Sequence, residues 1–365
     1  MLNFLKHEKS FFIALVTLLS IYLFLDFSQD ILKSIPVSVV FFVIVISVIL
    51  YAAIGVVHHA EMLAHLFGEP YGTLILTLSA VIVEIIMVLA MIFHGDPDPT
   101  LARDTVFSTL MILVNGLIGV ALFMGGLKFR EQKYNFKSTN SYVTLIIATF
   151  SLGFFFPMLL HIDSHFNYNI FIIITFVVVY GFFLRLQTKE HSYFFSFSPS
   201  GEIKHQIADE KHMSSIKSKK YHVTMLVTTI TLVSLLAHYL SIAVDNVIDI
   251  THIPKELGAI VIAVVIVSPE GLTAIRAALK NDMQRVMNIS LGSTISTIAL
   301  TIPAVLIVCM ITHREIILAL SPIQAGLIIT SILITLITTK SGETNALQGF
   351  IHFVLFITFL ITILI

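Results

Sequence analysis

An all-α integral membrane protein is the fold class this sequence predicts: eleven transmembrane helices, arranged as one extra N-terminal helix followed by two inverted five-helix repeats. Three observations predict it. Only 12% of the 365 residues are charged and 57% are hydrophobic, whereas a soluble domain carries about 25% charged residues. The apolar residues fall in blocks long enough to cross a bilayer, for which about 20 residues are needed. Each half of the chain also carries one acidic residue in the middle of its second block, Glu84 and Glu270.

The eleven apolar segments cover roughly residues 10–27, 36–57, 72–93, 104–127, 140–160, 168–187, 222–242, 256–279, 286–311, 316–338 and 346–365. They are continuous rather than alternating, so helices are expected, because a helix satisfies its backbone polar groups within the segment. The first segment follows Lys6 and Lys9 as a signal peptide would, but it shows no small-residue cleavage site and is expected to be a retained span. With the N-terminus inside, only Lys33, Arg103, Lys255 and Arg314 of the 21 Lys and Arg fall in outer loops. The positive-inside rule therefore predicts a multi-pass protein of the cytoplasmic (inner) membrane, N-terminus inside and C-terminus outside.

The organisation expected is an extra helix in 1–35, a first repeat in 36–189, a polar cytoplasmic linker in 190–221 and a second repeat in 222–365. Five spans is an odd number, so the two repeats have opposite orientation, an arrangement that places a substrate site near the midplane. Aligning Asn115 with Thr297 brings Ser108 onto Ser290 in the third span of each repeat. The linker run Asp209-Glu210-Lys211-His212 is either a cation- or pH-sensing element or a solvated loop.

Several function classes are excluded. A net charge of −1, with no Lys/Arg cluster interleaved with aromatics, leaves no nucleic-acid surface. One cysteine, Cys309, allows neither an intrachain disulfide nor a thiolate metal site. An intramembrane enzyme would need paired aspartates or metal-binding histidines in mid-span, and no Asp lies there. The sequence His58-His59-Ala60-Glu61 with His65 has helical spacing for a metal, or forms an interfacial amphipathic turn.

A carboxylate at the bilayer centre is costly and persists only if paired, neutralised by a proton or facing water. Two carboxyls brought face to face by an inverted repeat can bind a hard cation through oxygen, or hold protons instead. A site that accepts either ligand, and crosses only when loaded, is an obligatory exchanger; its partners are inorganic cations, protons and the lipid bilayer, and no cofactor is required. Pro269 removes the hydrogen bond that the Val265 carbonyl would receive, which frees an acceptor for a cation or water, or produces a packing kink. Ser293, Ser296 and Thr297 are either further oxygens or small residues of a helix contact. Asn115 is the one amide in the middle of its span and a pore-lining candidate, while Thr73 and Thr77 share the helical face of Glu84.

Segments 58–85 and 260–303 resemble the two signature repeats of calcium/cation antiporters, in the cation/proton exchanger branch and its bacterial ChaA-type members. Glu61, Ala64, Gly68 and Gly72 stand at or near the lead into the first repeat; Ala274–Asn281 and Leu291–Ser293 match the second. The resemblance implies that Glu84 and Glu270 bind the transported cation, with Ser293 and Ser296 as oxygen positions. Family members carry amides where this chain has Val81, Val267 and Leu76, and a glutamine at Ser296. Ca²⁺ takes six to eight oxygens, so this departure leaves Na⁺ or K⁺ as substrates beside Ca²⁺. A Na⁺-driven exchanger and a cation channel are the alternatives that share the scaffold.

Overall fold

Every apolar segment of the sequence becomes helical in the computed structural model, which describes residues 8–25, 35–67, 71–93, 98–160, 166–195, 218–251 and 254–364. The first half runs α1 (Lys9–Leu25), α2 (Ile35–Phe67), α3 (Tyr71–Ile92), α4 (Leu101–Phe129), α5 (Phe136–Leu160) and α6 (Phe166–Glu190). The second half runs α7 (Lys219–Thr251), α8 (Lys255–Ala278), α9 (Met283–Ile311), α10 (Pro322–Thr339) and α11 (Ala346–Leu364). Among the described residues eight helices are long and apolar enough to cross a membrane, or nine if the bent α8 is one span. The two remaining apolar helices, Lys9–Leu23 within α1 and Leu78–Ile92 within α3, are shorter. The linker run Asp209–His212 lies outside the described residues.

One addition to the all-α expectation is a short antiparallel ribbon. Strand β1 (Glu131–Lys133) pairs with β2 (Glu343–Asn345), with Gln132 opposite Thr344. Three-residue polar strands offer no apolar alternation to read, so this ribbon was not expected.

The chain forms two compact units that cut across the two halves of the sequence. The first takes in Met1–Asp98 and Asp209–Pro269; the second takes in Pro99–Ala208 and Glu270–Ile365. The boundary in the second half falls inside α8, which bends by 57° between Ser268 and Glu270. Proline is the cause expected for such a bend, because it breaks the hydrogen-bond ladder and clashes with the preceding turn.

In the first unit α2 packs against α1, α3 and α7. Val45, Ile49, Ala52, Ala53 and Val56 are buried along α2, and Val233, Leu236, Ala237 and Leu240 are buried along α7, which packs against it. In the second unit α4 is the central helix: 89% of its apolar window is buried, against 17% for α11. Gly119, Gly126 and Gly349 bring α4 and α11 into backbone contact, since a Cβ on Gly119 would come within 2.7 Å of the Phe353 nitrogen. Small residues serve such close helix approach in membranes.

Helices α4 and α9 share two local features. Each passes through a π-helical turn at mid-length, Ile112–Leu117 in α4 and Thr297–Thr301 in α9. Each is followed by a residue with a left-handed backbone, Arg130 at φ 65° and His313 at φ 54°.

Candidate functional site

Glu84 lies on α3, which packs against α2 and α7 in the first unit. Its side chain is 5% exposed, among the buried apolar residues Val81, Val83, Met87 and Val88. Ser79, one turn earlier, returns its hydroxyl to the Ile75 carbonyl at 2.6 Å. Val265, on the α8 segment that belongs to this unit, is buried as well. The side chains of Glu61, His65, Thr73 and Thr77 lie outside the described residues.

Glu270 opens the part of α8 that belongs to the second unit. There the Ser293 hydroxyl of α9 hydrogen-bonds its carboxyl. A hydroxyl that donates to a carboxylate can turn and accept from its protonated form, so this pair tolerates either state of the acid. Ser296 lies about one helical turn beyond Ser293. Its hydroxyl donates to the Gly292 carbonyl at 2.9 Å and faces the Tyr180 hydroxyl of α6 at 3.1 Å. Thr297 is buried and begins the π-helical turn.

Asn115 also belongs to the second unit, in a buried network of its own. Its amide nitrogen donates to Ser331 Oγ at 2.7 Å, and its Oδ1 lies 3.2 Å from His352 Nδ1. The other ring nitrogen of His352 meets Thr338 Oγ1 at 3.2 Å. The structure thus joins Glu270 to Ser293, sets Ser296 and Thr297 on the same helix, and engages the Asn115 amide with α10 and α11. Sequence reasoning had not singled out Tyr180, Ser331, Thr338 or His352. An ionisable residue inside an apolar segment was the available signal for His352; Tyr180 in an aromatic-rich span carried none.

Polar groups at the ends of the second unit satisfy helix termini, which leave backbone groups without intrahelical partners. Gln132 Nε2 donates to the Ala278 carbonyl at 2.9 Å, and Lys128 Nζ donates to the Leu279 carbonyl at 2.8 Å. Both hold the end of the α8 segment that begins at Glu270. Elsewhere in the unit Arg103 grips Asp104 through two nitrogens, and Gln324 donates to the same carboxylate at 2.8 Å.

Of the histidine motif, His59 makes described contacts with residues of other segments. His59 Nε2 lies 3.0 Å from Glu8 Oε2, and its Nδ1 lies 3.1 Å from His222 Nδ1. Tyr221 donates to the other oxygen of Glu8. These contacts tie the ends of α1, α2 and α7 together inside the first unit. Among the described residues no group of three or more His, Cys, Asp or Glu is disposed to hold a metal ion.

A family model described as sodium/calcium exchanger protein matches residues 37–189 and 221–365. The chain is 33% identical over 335 residues to the sodium-potassium/proton antiporter ChaA of Escherichia coli (strain K12), covering 91% of this chain and 90% of that protein. It is 25% identical over 334 residues to the Ca(2+)/H(+) antiporter ChaA of Bacillus subtilis (strain 168), covering 86% and 88%. The fold matches the solved structure of native YfkE at a TM-score of 0.72 and 18% identity, over 92% of this chain and 99% of that one. The two matched stretches leave out residues 190–220, and the relatives are transporters rather than enzymes. The chain belongs to the sodium/calcium exchanger protein family, within the ChaA-type calcium/cation antiporters.

Proposed function

We propose that this chain is a secondary active antiporter of the cytoplasmic membrane, which exchanges cytoplasmic Ca²⁺, Na⁺ or K⁺ for protons at Glu84 and Glu270. The observation that carries the reading is one carboxyl in each compact unit: Glu84 buried on α3, and Glu270 held by the Ser293 hydroxyl. A carboxyl in such surroundings is neutral with a proton or charged with a cation beside it, and the exchange of one ligand for the other is the transport step. Inward protons neutralise the two acids and displace the cation outward. Alternating access follows from inverted halves that move about the site, with eleven spans, the N-terminus inside and the C-terminus outside.

Further oxygens come from Ser293, Ser296 and Thr297, with Asn115, Thr77 and the Val265 carbonyl as the remaining candidates. Val81 and Val267 are buried apolar residues beside the two acids. A site poor in neutral oxygens is ill matched to the six to eight that Ca²⁺ takes, which favours Na⁺ and K⁺ as additional substrates. The name of the Escherichia coli relative, a sodium-potassium/proton antiporter, supports the same direction.

The test is reconstitution into acid-loaded, sodium-free liposomes that carry a pH dye. Addition of Ca²⁺, Na⁺ or K⁺ is expected to alkalinise the lumen, with the size of the response ranking the cations. A Na⁺-driven exchanger would give no response to Ca²⁺ without sodium. A channel would pass cation with no obligatory proton flux.

A further inference from the structure

The π-helical turns of α4 and α9 each have a polar ring from another helix at or beside them. Such a turn interrupts the regular ladder and leaves a backbone group to be satisfied elsewhere. In α4 the Ile118 N–H reaches the carbonyls of Leu113 and Asn115 and passes over Val114. Asn115, inside that turn, is engaged by His352 of α11, whose ring is wholly buried. Because Asn115 Nδ2 donates to Ser331, Asn115 Oδ1 is the acceptor and His352 Nδ1 carries the hydrogen. On the other side the neutral ring accepts from the Thr338 hydroxyl.

In α9 a polar ring from α6 reaches a residue that flanks the turn. The Ser296 hydroxyl donates to Gly292, so its oxygen accepts from the Tyr180 hydroxyl of α6. Ser296 immediately precedes the π-helical turn at Thr297–Thr301. Counted from α2, helix α6 is the fifth of the first half, and counted from α7, α11 is the fifth of the second. His352 thus meets a residue inside the π-helical turn of α4, and Tyr180 meets the residue that precedes the π-helical turn of α9.

We propose that Tyr180 and His352 are a pair of positioning residues for exchange, each pinning the centre of the opposite half's third span so that its oxygens face the transported cation. The proposal rests on the antiport reading above. In α9 the pin lies three residues from Ser293, which bonds Glu270, so slack at Ser296 shifts Ser293 against the carboxyl. In α4 the pin acts through the Asn115 amide.

Tyr180→Phe, His352→Leu and His352→Asn test it, with cation KM and maximal rate measured in proteoliposomes and amide hydrogen exchange measured on the purified proteins. Tyr180→Phe is expected to speed hydrogen exchange around 296–302, and His352→Leu around 112–118. Each is expected to raise the cation KM by about five- to tenfold, as the loss of one hydrogen bond implies, with maximal rate within about twofold of the parent. His352→Asn, whose amide can donate where Nδ1–H stood, is expected to restore both readouts. Unchanged KM and unchanged local exchange in Tyr180→Phe and His352→Leu overturn the proposal. A raised KM without local loosening also overturns it, since the residue would then contact the cation itself; loosening with normal KM overturns it in favour of packing alone. Glu84→Gln and Glu270→Gln are run in the same vesicles: normal activity there overturns the carboxylate reading, while the pins are judged on their own variants.

Discussion

Glu270 stands one residue past a proline-centred bend and shares a hydrogen bond with Ser293, and both facts bear on how it meets a cation. Ser293→Ala removes the only partner described for that carboxyl and is expected to raise the cation KM by about three- to tenfold, while Ser293→Thr keeps the hydroxyl and the KM; a tracer-uptake titration checks both. Val267→Asn adds an amide oxygen next to the acid and is expected to shift preference toward Ca²⁺ over Na⁺, read as the ratio of dye responses to the two ions. An unchanged ratio would mean that position 267 lies outside the coordination shell. Glu270 and Ser293 were each singled out in the sequence, as an intramembrane acid and as an oxygen position, but not as partners of one another. The engagement of Asn115 with Ser331 and His352 was not legible, because three separate helices must be placed before those side chains meet.

At the scale of elements, α4 and α11 are held by glycine-mediated backbone contact, and the glycines differ sharply in the room they have. A Cβ on Gly349 would lie 2.2 Å from the Phe123 nitrogen, and one on Gly119 would lie 2.7 Å from the Phe353 nitrogen. Gly119→Val and Gly349→Val are expected to destabilise the protein by about 1–3 kcal/mol through overpacking, seen as a lower melting temperature in detergent. Gly181→Ala and Gly326→Ala have open space around them and are expected to leave that temperature unchanged. Equal effects from both pairs would contradict the packing described. The helices themselves were readable from continuous apolar runs, which have no alternative in lipid. The π-helical turns were not, since Ile112–Leu117 has the same apolar composition as the α-helix around it.

At the scale of the whole molecule, the compact units are not the sequence halves: each takes its own share of both. The position of the acids hinted at paired halves, but the partition inside α8, at Pro269 and Glu270, depends on tertiary packing that no local pattern records. The proposed topology has its own check. With Cys309→Ser as the cysteine-free parent, Ser200→Cys and Lys340→Cys are expected to react with impermeant maleimide only from the cytoplasmic side, and Glu315→Cys only from the outside. Labelling of all three from one side would contradict the N-inside, eleven-span arrangement.

The account depends most on two carboxyls that trade protons for metal ions, and cation-driven proton efflux from liposomes reads that trade directly. With protein content matched, Glu84→Gln and Glu270→Gln are each predicted to abolish the pH-dye response to every cation that the parent transports. A parent-like response from either variant would contradict the account.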